Sequence, residues 1–343
     1  MNNNFSNVKA VILGCSGHHL TEQEKDFFHK HNPFGFIIFT RNIDNPDQVK
    51  KLVQEMKATV SDRYVPILID QEGGRVARLR PPHWRHPPAA EIFSKMNVQN
   101  QALAREALKI NTQLMAQDVL ILGINVICAP VLDLRFPGAS DVIGDRSFGS
   151  DPETVALLGK VQAETLLNCG VMPIMKHIPG HGRALVDSHH HLPMVKENIE
   201  ELKKYDFRPF KILQEVPWAM TGHLMFEALD QNEPVTTSKI IIQKIIREYI
   251  GFQGLLLSDD LSMKALSGSF EEKTKKSIEA GCDIILHCNG NMDEMKAIMN
   301  ECPLLSEISS IRLQESLKKL AKNPVKFAEK LDQEFDNLMS LSS

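Results

Sequence analysis

Residues 176–193, KHIPGHGRALVDSHHHLP, bring five histidines and one carboxylate into a single short stretch. Metal ligation, pH sensing and proton transfer all use such a composition. His177 and His181 stand four apart, but Pro179, Gly180 and Gly182 prevent a helix, so the two do not share the helical face that a zinc motif requires. His189, His190 and His191 are consecutive, and neighbouring side chains diverge rather than converge on one ion. Asp187 and His189, one residue apart, suit proton transfer: a carboxylate beside an imidazole fixes its tautomer and favours the protonated form. A solvated polar loop is the plain alternative for the same residues.

Further polar residues close a series of apolar runs. Asp70 ends one run, Lys176 and His177 another, His223 a third, and Asp259 with Asp260 a fourth. The runs are VKAVIL (8–13), FGFIIF (34–39), VPILID (65–70), INVICAP (124–130), VMPIMKH (171–177), PWAMTGH (217–223), QGLLLSDD (253–260) and CDIILHC (282–288). Each is long enough for a buried strand. Helical patterns over 21–31, 47–60, 102–122, 153–169, 197–214, 239–249 and 270–280 separate most of them. Pro152, with Ser150 and Glu153 as a capping box, marks the start of one helix. Alternating units with near-continuous apolar strands predict a parallel sheet covered on both faces. Eight strands predict an α/β fold of the (β/α)8 barrel type, a single domain over 1–343 with the barrel at about 8–300 and C-terminal helices at about 304–343. An open doubly wound sheet is the competing arrangement. In a barrel the polar strand ends all gather at the C-terminal rim, where active sites of this fold are built. Of the adjacent Asp259 and Asp260, one should cap the following turn and the other face the pocket, and side-chain alternation does not say which.

Composition bounds the rest. The 343 residues carry a formal net charge of -4 with 43% hydrophobic and 24% charged residues, and no long Lys/Arg run is present, so no nucleic-acid partner is expected. There is no basic segment before the first apolar run and no stretch of 18 apolar residues, so a cytoplasmic protein without membrane association is expected. The six cysteines form no CxxC pair and mostly fall in apolar segments, as reduced core thiols do.

Four segments in order, DQEGGRVARL (70–79), IGDRSFGSDP (143–152), KHIPGHGRALVDSHHHLP and SDDLSM (258–263), resemble the β-N-acetylhexosaminidases of glycoside hydrolase family 3. Within that family the similarity is to the single-domain bacterial β-N-acetylglucosaminidases of peptidoglycan recycling. The resemblance implies a retaining mechanism without metal or cofactor, in which Asp259 is the nucleophile and His189 the acid/base, tuned by Asp187. It places Asp70, Arg78, Arg146, Lys176 and His177 on the N-acetylglucosamine hydroxyls. It implies a small-molecule substrate, a GlcNAc-anhydroMurNAc muropeptide; oligomeric state is not implied, and a monomer is the default. Glycoside hydrolysis ordinarily uses two carboxylates, and an imidazole with a pKa of ~6.5 can replace one near neutrality. A neutral imidazole does not repel an incoming anion, which leaves phosphorolysis open as a second reading. A metal-dependent barrel enzyme and a non-catalytic sugar-binding barrel are the readings from other classes. Ile178 stands where the family usually has an aromatic residue. RPPHWRHPP (80–88), His190 and His191 are less familiar and receive no role. A surface pairing of Arg146 with Asp145 or Asp151 is the alternative to a sugar contact.

Overall fold

The computed structural model describes residues 5–188 and 191–341. Eight parallel strands close on themselves in chain order: β1 Lys9–Leu13, β2 Pro33–Ile38, β3 Ile67–Ile69, β4 Val126–Ile127, β5 Met172–Ile178, β6 Trp218–Thr221, β7 Leu255–Asp260 and β8 Ile284–His287. β1 pairs with β2 on one side and with β8 on the other, Val11 standing opposite Ile285 and Ile12 opposite Gly35. That closure makes the sheet a barrel and excludes the open doubly wound arrangement. β2 and β5 are buried at every position, as strands packed between a filled interior and a ring of helices must be.

The barrel is filled at its N-terminal end. Phe34, second in β2, and Trp218, first in β6, stand on opposite walls, yet their rings lie 5.8 Å apart and both are fully buried. They meet in the interior and close the lower mouth. β4 is shorter than its apolar run predicts: the Ala129 amide turns back to the Ile127 carbonyl, and Pro130 has no amide to donate. Pairing with β5 nevertheless resumes at Val131 and Leu132.

Two local expectations are corrected. The helix after residue 150 spans Pro152–Asn168, and its cap is Asp151, whose carboxylate accepts the Thr154 amide at 2.8 Å. Proline belongs at the first helical position, where its missing amide costs nothing, so the residue before it becomes the cap instead of Ser150. The helix expected over 197–214 is broken into Ile199–Lys204 and Arg208–Ile212, because Pro209 cannot donate back to Tyr205.

At the C-terminal side, the Glu307–Lys319 helix is fastened to the barrel. Ser309 and Arg312 both donate to Asp283 Oδ1, at 2.6 and 2.9 Å. All six cysteines are free and buried. No helix among the described residues is long and apolar enough to cross a membrane.

Candidate active site

A cleft of about 210 Å³ opens at the C-terminal rim. Its lining comes from almost every strand end: Phe39 after β2, Asp70 and Glu72 after β3, Val142, Ile143 and Arg146 after β4, Lys176 and His177 from β5, Met220 from β6, Asp259 and Asp260 from β7, and Cys288 after β8. His181 and Ser188 complete one wall. The Lys176–His177 peptide is cis, and both side chains border the cleft.

The floor carries a continuous ladder of alternating charge. Arg78 donates to Asp70 Oδ2 at 2.9 Å and Lys176 Nζ to Asp70 Oδ1 at 2.9 Å. Lys176 also meets Glu72 Oε1 at 2.7 Å, and Arg146 grips Glu72 in a two-pronged pair, Nε and Nη2 each 2.8 Å from a carboxylate oxygen. Burial alone would push both carboxyls up, but their cations outweigh it: Lys176 and Arg78 hold Asp70 well below the usual carboxylate range, and Arg146 with Lys176 brings Glu72 down to about 2. Burial would likewise strip Lys176 of its proton, and Asp70 and Glu72 reverse that. The outer member is not saturated. Arg78 lies over the Phe39 ring, 4.7 Å from its centroid, and its buried Nε finds no acceptor among the described residues.

Arg146 therefore does not pair at the surface. Asp145 is taken by Arg75 at 3.0 Å, Asp151 caps a helix, and Arg146 turns inward to a carboxylate 74 residues away.

β7 separates the two adjacent aspartates by job. Asp260 accepts the Ser262 amide and hydroxyl at 3.0 and 2.6 Å and the Cys288 amide at 3.1 Å, tying its loop to the end of β8. Asp259 borders the cleft with Oδ1 accepting the Asp260 amide at 2.8 Å. Burial raises its carboxyl, while the facing His223 and His177, that amide and Lys176 together bring it below the ordinary value. Its carboxylate is thus the form present at neutral pH.

Behind Asp259 runs a buried chain of hydrogen bonds that a neutral His223 ring orders. The Asp260 carbonyl, 3.0 Å from His223 Nε2, can only accept, so Nε2 carries the proton and Nδ1 accepts from the Thr236 hydroxyl at 2.7 Å. Thr221 in turn donates to Thr236 at 2.8 Å and accepts the Asp259 amide at 3.3 Å. Burial lowers the His223 pKa, in keeping with the neutral ring this chain needs.

On the opposite wall Asp133, fully buried after β4, organises the KHIPGHG turn. Its oxygens accept the His177 amide at 3.2 Å, the His181 amide at 2.7 Å and His177 Nδ1 at 2.6 Å. The ionised carboxylate makes Nδ1 the donor and leaves Nε2 as the His177 nitrogen available to a ligand. Gly182 permits the turn to press against this loop, since a Cβ there would lie 2.0 Å from the Leu134 carbonyl oxygen. Asp133→Asn is expected to cost about 2–3 kcal/mol of stability in chemical denaturation, because one of its two acceptors becomes a donor facing amide hydrogens.

Of the residues singled out by sequence, Asp70, Arg78, Arg146, Lys176, His177 and Asp259 converge on one cleft. Asp187 is half-buried in the segment beside it, and its carbonyl accepts the His191 amide at 3.0 Å. His189 and His190 lie outside the described residues. Sequence reasoning missed Glu72, Asp133, His181 and Ser188 as parts of this site. Glu72 had a signal: two residues after Asp70 in an extended chain, it faces the same side. Asp133 had one too, as a lone acid in an apolar stretch that burial obliges to find partners.

Fold and site together define a (β/α)8-barrel enzyme with a charged, carboxylate-bearing cleft at its rim. Residues 7–322 match the family model described as the glycosyl hydrolase family 3 N-terminal domain. The chain belongs to glycosyl hydrolase family 3 and is a glycoside hydrolase. It is 34% identical over 309 residues to a β-hexosaminidase of Alkalilimnicola ehrlichii, covering 88% of this chain and 87% of the relative. A β-hexosaminidase of Haemophilus influenzae is 31% identical over 324 residues, with 91% and 90% covered. Among solved structures, NagZ from Neisseria gonorrhoeae in complex with N-trifluoroacetyl-D-glucosamine superposes with a TM-score of 0.86 at 30% identity, covering 98% of this chain and 99% of that one.

Proposed function

We propose that this chain is a retaining exo-β-N-acetylglucosaminidase that removes the terminal non-reducing GlcNAc from peptidoglycan fragments, GlcNAc-anhydroMurNAc with or without peptide, in cell-wall recycling. The observation that carries this reading is the ionised Asp259 at the wall of a cleft whose floor is the Arg78, Asp70, Lys176, Glu72, Arg146 ladder. A carboxylate and a guanidinium can each span vicinal hydroxyls with paired bonds, and the ladder presents both in fixed positions. Asp70, Arg78, Arg146, Lys176 and His177 hold the sugar, and Glu72 keeps Arg146 and Lys176 in place. The relatives' names point to hexosaminides, and the gonococcal structure is a complex with an N-acyl glucosamine.

In the first step an Asp259 oxygen forms a bond to the anomeric carbon while the glycosidic bond breaks, and His189 gives its proton to the departing oxygen. In the second, His189 takes a proton from water, the water oxygen bonds to the anomeric carbon, and Asp259 leaves as carboxylate. Asp187 beside His189 supports the charged imidazolium that donates in the first step and forms again in the second.

The test is the leaving group. His189→Ala is expected to lower kcat/KM for an alkyl β-N-acetylglucosaminide by about 100-fold or more and for a nitrophenyl one far less, since an activated leaving group departs without a proton. Equal losses on both substrates would remove His189 from the acid/base role. Running the same assays with inorganic phosphate should give free GlcNAc and no sugar 1-phosphate.

A further inference from the structure

Ser188 sits between Asp187 and His189 and behaves unlike the described residues around it. Leu185 is 70% exposed, Val186 38% and Ser188 3%. Its hydroxyl lies 3.2 Å from His181 Nε2, and its carbonyl accepts the Ala265 amide at 3.2 Å. Ala265 belongs to the loop that follows Asp259 and Asp260, so Ser188 joins the histidine-rich segment to the loop that leaves the carboxylate-bearing strand. The segment is also tethered at Ala184, whose carbonyl accepts the Ser140 amide at 2.8 Å, and at Arg183, which donates to Asp206 at 2.8 Å and Glu197 at 3.1 Å.

His181 is a fixed point for this contact. Its amide is bound to Asp133, its ring packs edge-on against His177 with centroids 5.6 Å apart, and it is 2% exposed. Burial, and His177 beside it, drive its pKa down to about 4, so the ring stays neutral across the range in which an imidazole acid/base works and the contact does not switch off there.

We propose that the hydrogen bond between His181 and Ser188 is the pin that fixes Ser188, the residue joining Asp187 to His189, at the wall of the cleft, with both as positioning residues. This rests on the acid/base reading of the Asp187 and His189 pair. Ser188 is covalently joined to both, so a shift at Ser188 displaces both, and displacements of about 1 Å are enough to cost a catalytic group as much as 100-fold.

Ser188→Ala is expected to lower kcat/KM on an alkyl β-N-acetylglucosaminide by roughly tenfold or more while changing the nitrophenyl substrate less than about threefold. Ser188→Thr, which keeps the hydroxyl, should restore the alkyl substrate. His181→Phe keeps the ring and removes its nitrogens; it should show the same split, and the double variant should be no worse than the worse single one. His181→Phe also provides the reading if Ser188→Ala lowers the melting temperature. Equal slowing of both substrates, or no slowing of either, overturns the pin. The two failures are distinguishable: if His189→Ala itself lacks the split, the acid/base assignment falls and the pin with it, whereas a split in His189→Ala without one in Ser188→Ala and His181→Phe removes the pin alone.

Discussion

Asp259→Ala is expected to lower turnover of a nitrophenyl β-N-acetylglucosaminide by about 10,000-fold or more, roughly 5 kcal/mol of transition-state stabilisation, with little change in melting temperature. Alanine removes the carboxylate proposed to bond to the anomeric carbon. The chain Thr221, Thr236, His223 and the Asp260 carbonyl meets residue 259 through its main-chain amide, so it survives the change. Unlike the loss expected at His189, this one applies to good and poor leaving groups alike. Unimpaired hydrolysis would leave Asp259 without the nucleophile role. Asp260→Ala serves as the contrast: its carboxylate holds the Ser262 turn and the Cys288 amide, so its loss should appear in stability as well as in rate.

Lys176→Met carries the largest expected effect on stability. The ammonium group is 3% exposed and touches both Asp70 and Glu72. Methionine fills the space but leaves two buried carboxylates with one cation each, and breaking a buried pair from one side costs about 3–5 kcal/mol. The pH dependence has a definite sign. Glu72 titrates near 2 in the folded chain and has an ordinary value of 4.5, and Asp70 is also depressed. Groups of this kind contribute stability that is fully present above the unfolded value and is lost as pH falls through the folded one. The gap between the native protein and Lys176→Met in urea denaturation is therefore widest at neutral pH and narrows from about 4.5 towards about 2. A gap that stayed constant over that range would mean that the ladder contributes no charge pairing.

The barrel was legible because its strands are apolar runs ended by turn residues, and because polar strand ends in this fold share one rim. Asp70, Lys176, His177 and Asp259 needed little beyond that. Arg146 was less readable: its neighbours in sequence are acidic, yet its partner Glu72 comes from another loop, and ion pairs between distant segments leave no trace in local spacing. Side-chain alternation did not divide Asp259 from Asp260, and only the family resemblance named Asp259, since the physical division depends on Cys288 and Ser262 claiming the other. His181 looked like part of a turn and proves to be a wall of the cleft, because only the path of the chain shows where its ring goes. The broken helix at Pro209 and the cap at Asp151 were within reach, as both follow from a proline that lacks an amide.

The ring contact between Phe34 and Trp218 makes the barrel a blind well. The described cleft opens at the C-terminal rim, opposite that contact. In the proposed exo-action this sets the order of departure: the aglycone, nearest the opening, leaves before the sugar beneath it, and water arrives through the space the aglycone vacates. Under the same proposal free sugar can return to the bottom of the cleft, and competitive inhibition by the released sugar is the expected consequence.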